Sequence, residues 1–527
     1  MNGNLLSFIS LGGKKGIPPL LFGALFLIIY WLFGYDGITF SDEVAYLKLG
    51  DQLWNLTPVI YEDHFSSRWG TYLFPGLFTH LFGFHDRNAS IASLLFYLAT
   101  LFVLWKITPS ANLRKWVMIF FISHIYLLHF LPKVYPDTFL IFWVVLIPVS
   151  ALFRDKQPIL AALVMSMAFV VGFCTKETMV LLFPFPLLLL FIDLKWTKSL
   201  AFYYYFALFA LLLIILYLGY YQLKFGDMLF QFKSIHRGHY ISGFSYHDKG
   251  WIIILKRITY LPFFAFIERT YWLWLVMAIP GIFYGLKSKG KPNLEFALCS
   301  ICLLIGFWLM TTSLEFYNPI PLNPRHFIIM VGPLSVNIAL GAKYWLHDQW
   351  WKRFITFLLM VGGFYAFALL DWKIGAFHFL FAGFILLRKE KLKYWAMTIS
   401  LILTVTIAVY HQHQLKNYPH FLKTFQSLVK NSSEASPLLT HEFIVQSKDV
   451  LLNQPNIQAP LQSLYHLDGL KETPPHKFTL FVYNYYRHAY VKEQEFLDKA
   501  EEWIKKEGYE ITSSSKDQWM RIEVYEK

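Results

Sequence analysis

Thirteen apolar runs, most of them about 17–22 residues long, recur through the first 410 residues of the chain, and they constrain it more than any other feature. They lie near 17–35, 89–106, 116–131, 137–153, 158–174, 178–193, 199–222, 271–286, 294–312, 326–343, 354–370, 374–387 and 394–410. A run of that length, wound as a helix, matches the hydrocarbon core of a bilayer, roughly 30 Å thick. A helix also satisfies its own backbone where no water is available. Composition agrees: 56% of the 527 residues are apolar and 15% charged, against about 45–50% and about 25% in soluble domains. The 52 Phe and 18 Trp suit lipid-facing surfaces and interfacial belts. These numbers exclude a cytosolic enzyme, a disordered chain and a disulfide scaffold. Cys299 and Cys302 form a CxxC inside an apolar run and read as a buried helical face rather than a metal or redox site. Gly34-Tyr35-Asp36 lacks a small-x-small cleavage pattern, so the first run is expected to remain as a span.

The net charge of +13 would suggest nucleic acid in a soluble protein. Here its distribution gives another meaning. With Lys14 and Lys15 inside, the inner gaps between runs carry 19 basic and five acidic residues, whereas the outer gaps to residue 410 are balanced at 14 of each. The positive-inside rule therefore predicts a cytoplasmic N-terminus and an extracytoplasmic C-terminus, in a bacterial inner or plasma membrane. The basicity is a topology signal and no nucleic-acid partner is expected. Two outer gaps exceed connector length. Residues 36–88 hold three basic and seven acidic residues, and residues 223–270 hold seven basic and three acidic. Beyond 410 the composition changes: strand-like Phe478–Tyr486, a helical pattern from about Val491 to Lys506, then strand-like Tyr509–Ser515 and Trp519–Glu526. The expected architecture is a polytopic α-helical membrane protein with about 13 transmembrane helices in residues 1–410, and a small extracytoplasmic α/β C-terminal domain in 411–527.

Ionisable groups near membrane depth are expensive and mark candidate sites. Ser41-Asp42-Glu43 opens the first outer gap; repulsion between adjacent carboxylates near an apolar wall raises one pKa, as a general base requires. Capping a juxtamembrane helix is the simpler role for Ser41 or Asp42, and the two roles are compatible. Asp137, in Tyr135-Pro136-Asp137, heads an apolar run and could likewise be a cap. Lys176-Glu177, between the fifth and sixth runs, could be a structural ion pair or could offer Lys176 to an anionic ligand. Arg68 and Arg325 could snorkel at the interface or bind phosphate. The loop bearing Arg237 and Arg257 could bind anionic headgroups. Together, an acid-rich and a base-rich outer loop fit a reaction between an alcohol and a lipid phosphate: a base takes the acceptor proton and cations neutralise the departing phosphate.

In this order and on this topology the residues resemble the GT-C membrane glycosyltransferases, in particular protein O-mannosyltransferases and bacterial lipid A aminoarabinose transferases. The resemblance covers most of the chain. It rests on Asp42-Glu43, the stretch RWGTYLFPGLFTHLFGFHDRNAS from Arg68, YPD at 135–137, TKET at 175–178 and NPRHF at 323–327, on thirteen spans and an outer C-terminal domain. It implies a GT-C fold and inverting transfer of a sugar from a polyprenyl-phosphate donor to a hydroxyl or phosphate on a lipid or protein acceptor at the outer membrane face, in the cell envelope. By it, Asp42 is the acceptor-activating base, assisted by Glu43, with Asp137 the second acid. Arg68, Lys176 and Arg325 contact donor phosphate or sugar, and Glu177, Arg237, Arg257 and His326 belong to the same donor-binding set. The chain departs from the pattern in carrying Arg68-Trp69-Gly70 where many relatives have Lys-Pro-Pro, and His326 where an aromatic is usual.

No cofactor is required, since a lipid phosphate leaves readily with cationic help; a divalent metal is possible but not indicated, His411-Gln412-His413 lacking neighbouring carboxylates. A flippase for lipid-linked sugars is the main alternative, but it would place charges within the spans and show repeats, and no repeat is visible. A non-catalytic envelope scaffold would tolerate loss of the outer acids.

Overall fold

The computed structural model describes residues 17–57, 64–238, 246–288, 292–311, 315–467 and 471–527. The chain is mostly helical, with a small sheet near its C-terminus. Among the described residues five helices are long and apolar enough to cross a membrane: Asp86–Ile107, Pro158–Thr175, Glu177–Lys195, Ala201–Phe225 and Glu390–Asn431. Shorter apolar helices occupy Pro19–Phe33, Pro136–Leu152, Tyr271–Lys287, Asn293–Leu309, Pro324–Leu340 and Trp372–Leu386.

Every one of the thirteen apolar runs is helical over most of its length, and several are interrupted for local reasons. The 178–193 run begins as a 3-10 turn, Glu177–Leu182, and becomes α-helical at Pro184, because proline removes a backbone donor and crowds the preceding turn. The 326–343 run likewise contains a 3-10 turn at Ile328–Met330, where Pro333 cannot donate to the carbonyl of Ile329. The 116–131 run divides into Ala111–Ile122 and Ile125–Phe130. Proline at the first helical positions opens Pro136–Leu152, Pro158–Thr175 and Pro324–Phe327, where its absent N–H costs nothing.

Two compact units account for the chain. The first comprises Met1–Phe33, Ile60–Thr71 and Ala92–Val405; the second comprises Gly34–Val59, Tyr72–Ile91 and Thr406–Lys527. The first unit has one continuous apolar core, in which Trp274 donates to the carbonyl of Phe120 at 2.8 Å and buried Asn337 donates to the Ser300 hydroxyl at 2.9 Å. The two CxxC cysteines are buried free thiols in this core.

The second unit contains a five-stranded sheet of β1 (Leu438–Thr440), β2 (Leu461–Ser463), β3 (Lys477–Tyr483), β4 (Glu510–Lys516) and β5 (Met520–Glu526), in the order β2-β1-β3-β5-β4. Strands β2, β1 and β3 run parallel, while β5 and β4 join antiparallel. Phe421 of helix Tyr418–Asn431 stacks on Tyr483 on one sheet face. Trp503 of helix Glu493–Lys506 meets Phe478 on the other. Strand β4 is exposed along its whole length and carries Thr512, Ser513, Ser514, Ser515 and Lys516, the polar composition that blunts an edge. The strand and helix patterns read from residues 478–526 thus match β3, the helix, β4 and β5.

Candidate functional site

Helix Pro158–Thr175 ends at Thr175, and Lys176 follows in an extended conformation before the next turn starts at Glu177. Consecutive side chains of an extended segment point to opposite sides. Lys176 and Glu177 therefore do not pair with each other but reach different partners. Lys176 Nζ donates to both carboxylate oxygens of Asp137 at 2.8 Å. Glu177 receives Arg68, Nε to Oε2 at 3.0 Å and Nη2 to Oε1, in the bidentate geometry that suits a guanidinium.

Arg68 reaches Glu177 because its neighbour is glycine. A Cβ on Gly70 would lie 2.5 Å from the Thr175 hydroxyl and 2.9 Å from the Thr175 nitrogen, so any larger residue would push the backbones apart. The approach is fixed by Thr71 Oγ1 donating to the Thr175 carbonyl and by Tyr221 donating to the Ser67 carbonyl, both at 2.8 Å.

Arg325 completes the cluster. The Asn323 side chain accepts from the Arg325 nitrogen at 2.9 Å and Pro324 sits at the first helical position, a local N-terminal motif that fixes where Arg325 emerges. Its Nε lies 3.3 Å from Asp137, and its guanidinium covers the Tyr135 ring at 4.7 Å. Asp137 is fully buried and does not cap its helix; it is the shared anion of Lys176 and Arg325. Arg68, Lys176 and Arg325 are thus gathered on Asp137 and Glu177. Burial holds the Lys176 ammonium below the usual lysine range, more strongly than Asp137 beside it pulls the other way. His326 is buried with Nδ1 3.1 Å from the Pro321 carbonyl.

The other candidates sit apart from this cluster in their bonding. Arg257 is buried and gives its guanidinium to the carbonyls of Phe307 at 2.8 Å, Ile320 at 3.0 Å and Trp308 at 3.2 Å, so it caps the C-terminal end of helix Asn293–Leu309. The side chain of Arg237 lies outside the described residues. Lys133 was not singled out in the sequence reading, yet it is buried with Nζ 2.9 Å from His129 Nε2. Its signal was legible, since it is a charge in the short outer gap before Asp137.

In the second unit, Asp42 and Glu43 form the first turn of helix Asp42–Trp54. Ser41 occupies the cap position, but its hydroxyl donates to Asp42 at 3.1 Å rather than receiving a backbone amide. The two acids differ. Glu43 is 2% exposed and accepts from the Thr39 nitrogen and, at 2.6 Å, the Thr39 hydroxyl. Asp42 is only half-buried.

No family model and no curated protein matches the chain. Solved structures do. ArnT from Cupriavidus metallidurans bound to undecaprenyl phosphate superposes with a TM-score of 0.52 at 12% identity, covering 97% of this chain and 98% of that one. The same protein in its apo state gives a TM-score of 0.54 at 11% identity, over 96% and 98%. The chain has the ArnT fold. The match extends over nearly all of both chains, so the likeness is to a whole protein rather than to one segment of it.

Proposed function

We propose that the protein is an inverting glycosyltransferase that moves a sugar from a polyprenyl-phosphate donor to a hydroxyl or phosphate acceptor at the outer membrane face. The observation that carries this reading is the gathering of three cations, Arg68, Lys176 and Arg325, on the buried carboxylates Asp137 and Glu177, in a chain whose fold neighbour binds undecaprenyl phosphate. A leaving lipid phosphate needs such pre-placed cations, which act strongly where water is excluded. Asp137 and Glu177 hold the cations in place. Asp42, the more accessible of the adjacent acids, takes the acceptor proton, while Glu43 is engaged with Thr39 and steadies the turn. Transfer proceeds without a divalent metal, so a chelator leaves the rate unchanged. The proposal includes thirteen membrane crossings, a cytoplasmic N-terminus and an extracytoplasmic C-terminal domain, because the basic excess falls on one set of gaps.

The test uses the purified full chain with undecaprenyl-phosphate-linked aminoarabinose or mannose, and lipid A or a Ser/Thr peptide as acceptor. Wild type should release undecaprenyl phosphate from one of these donors. Asp42→Asn should be slower by about 10³-fold or more while binding undecaprenyl phosphate normally. Turnover at the wild-type rate in that variant would remove Asp42 from the mechanism.

A further inference from the structure

Within the second unit, the five residues from Asp36 to Phe40, just before Asp42, are gripped at successive positions by the C-terminal part of the chain. Asp36 pairs with Lys416 at 3.2 Å, and the same Nζ donates to the Ile38 carbonyl at 3.0 Å; both side chains are buried. Gly37, at φ +91°, lies against the Tyr418 ring, where a Cβ would come within 2.2 Å of it. Phe40 has φ +56°, a left-handed conformation that a bulky residue adopts only under constraint. Its ring is 4% exposed, packed edge-on against Phe443 at 5.2 Å, Phe421 at 5.6 Å and Tyr483 at 6.2 Å. Tyr490 closes the arrangement: its hydroxyl is 2.5 Å from the Thr39 carbonyl and 3.1 Å from that of Phe40, while its ring stacks on Phe443 at 4.4 Å. Six residues beyond Asp42 on the same helix, Lys48 forms an ion pair with Asp449.

These contacts concentrate on the hinge that sets where Asp42 points. Only Ser41 separates Phe40 from Asp42, and the helix begins at Asp42 itself. A relaxation of Phe40 to an ordinary backbone conformation would therefore swing the carboxylate. We propose that the C-terminal domain is a positioning element of the transfer reaction, with Tyr490 and the aromatic socket of Phe40 holding the strained turn that aims Asp42. The inference rests on the assignment of Asp42 as base. It gives the domain a task inside the chemistry rather than one of acceptor capture.

The experiment compares Tyr490→Phe with Tyr509→Phe in the full-length chain, by kcat and KM for the donor that supports wild-type turnover and by undecaprenyl phosphate binding. Tyr490→Phe keeps the ring stacked on Phe443 and removes only the hydroxyl. Tyr509 makes a similar bond in the same domain, to the Pro475 carbonyl at 2.5 Å, and is the matched control. The expected result is a kcat lowered about 10- to 100-fold by Tyr490→Phe, with KM and phosphate binding within about twofold, and wild-type kcat for Tyr509→Phe. Phe40→Gly, which suits φ +56° without strain but empties the socket, should show the same loss in kcat alone, and Phe40→Met should restore part of it. Hydrogen exchange at the amides of residues 40–44 should quicken in Tyr490→Phe. Wild-type kcat in both Tyr490→Phe and Phe40→Gly, with Asp42→Asn inactive, overturns the positioning role and leaves the base assignment standing. An active Asp42→Asn overturns the base assignment first.

Discussion

Helix Pro136–Leu152 carries a buried ionic cluster at each end, and the two differ in a way that separates scaffolding from chemistry. Past its C-terminal end, Arg154 Nε and Nη2 bind Asp193 at 2.6 and 3.0 Å, and Nη1 binds Glu295 at 2.5 Å. Tyr203 donates to the same Asp193 at 2.6 Å. All three charged side chains are 1% exposed. Near its N-terminal end, Asp137 shares Lys176 and Arg325, and Glu177 holds Arg68; here the Arg325 side chain is 19% exposed. The first cluster joins three helix ends, and the partly exposed Lys198 also reaches Asp193, at 3.5 Å. The second gathers three cations at one helix end and leaves the Arg325 side chain partly exposed. A buried ion pair by itself therefore says little about function; the groups it gathers and its access decide.

The comparison makes graded predictions. Arg154→Met should have the largest effect, a loss of about 3–5 kcal/mol in unfolding free energy, because Glu295 would stay buried without the guanidinium and Asp193 would keep, of its cations, only Lys198 at 3.5 Å. Turnover per folded molecule should stay at the wild-type value, as read from thermal unfolding in detergent beside donor release. A stable but inactive Arg154→Met would break the distinction. Lys176→Met should do the reverse: a fall of about 10²-fold in kcat/KM for the donor, with a smaller stability loss because Arg325 still faces Asp137.

Lys176 also sharpens the contrast through pH. Its folded pKa is depressed, chiefly by burial, so it is charged below that lowered value and neutral above it, at lower pH than a free lysine. Donor affinity should accordingly be full at neutral pH and weaken, by about tenfold, as pH rises through the lowered pKa. Lys176→Arg should flatten that limb, since a guanidinium does not titrate there. Donor KM measured across the alkaline range checks both. The smallest effect is expected from Tyr203→Phe, about 1 kcal/mol of stability for one hydrogen bond to Asp193, with donor KM unaltered.

Much of this was legible in the sequence for a simple reason. Apolar runs of bilayer length became helices because the hydrophobic pattern and the backbone's need for internal hydrogen bonds point the same way. In the C-terminal part, β3, β4, β5 and the helix Glu493–Lys506 followed their local periodicities. Strands β1 and β2 did not, being three residues each and existing only through parallel pairing with distant partners. Among the candidate residues, the types and approximate places of Asp42 in the second unit and of Arg68, Asp137, Lys176 and Arg325 in the first were readable as charges beside apolar runs. Their pairing was not. Lys176-Glu177 reads as one ion pair and is in fact two, directed oppositely by a single extended residue. Arg257 reads as one more cation in a basic loop, yet its guanidinium is committed to three carbonyls.

The sequence alone determined that the chain is a bundle of apolar helices with a polar C-terminal domain, and which few charges its membrane part could not leave without purpose. Both are local properties, set by hydrophobicity and by the cost of a charge away from water. Only the tertiary structure decided which of those charges neutralise one another, that Gly70 admits Arg68 to Glu177, and that Phe40 and Tyr490 fix the turn before Asp42. Those outcomes depend on distances between residues tens to hundreds of positions apart, which packing sets and which no local pattern encodes.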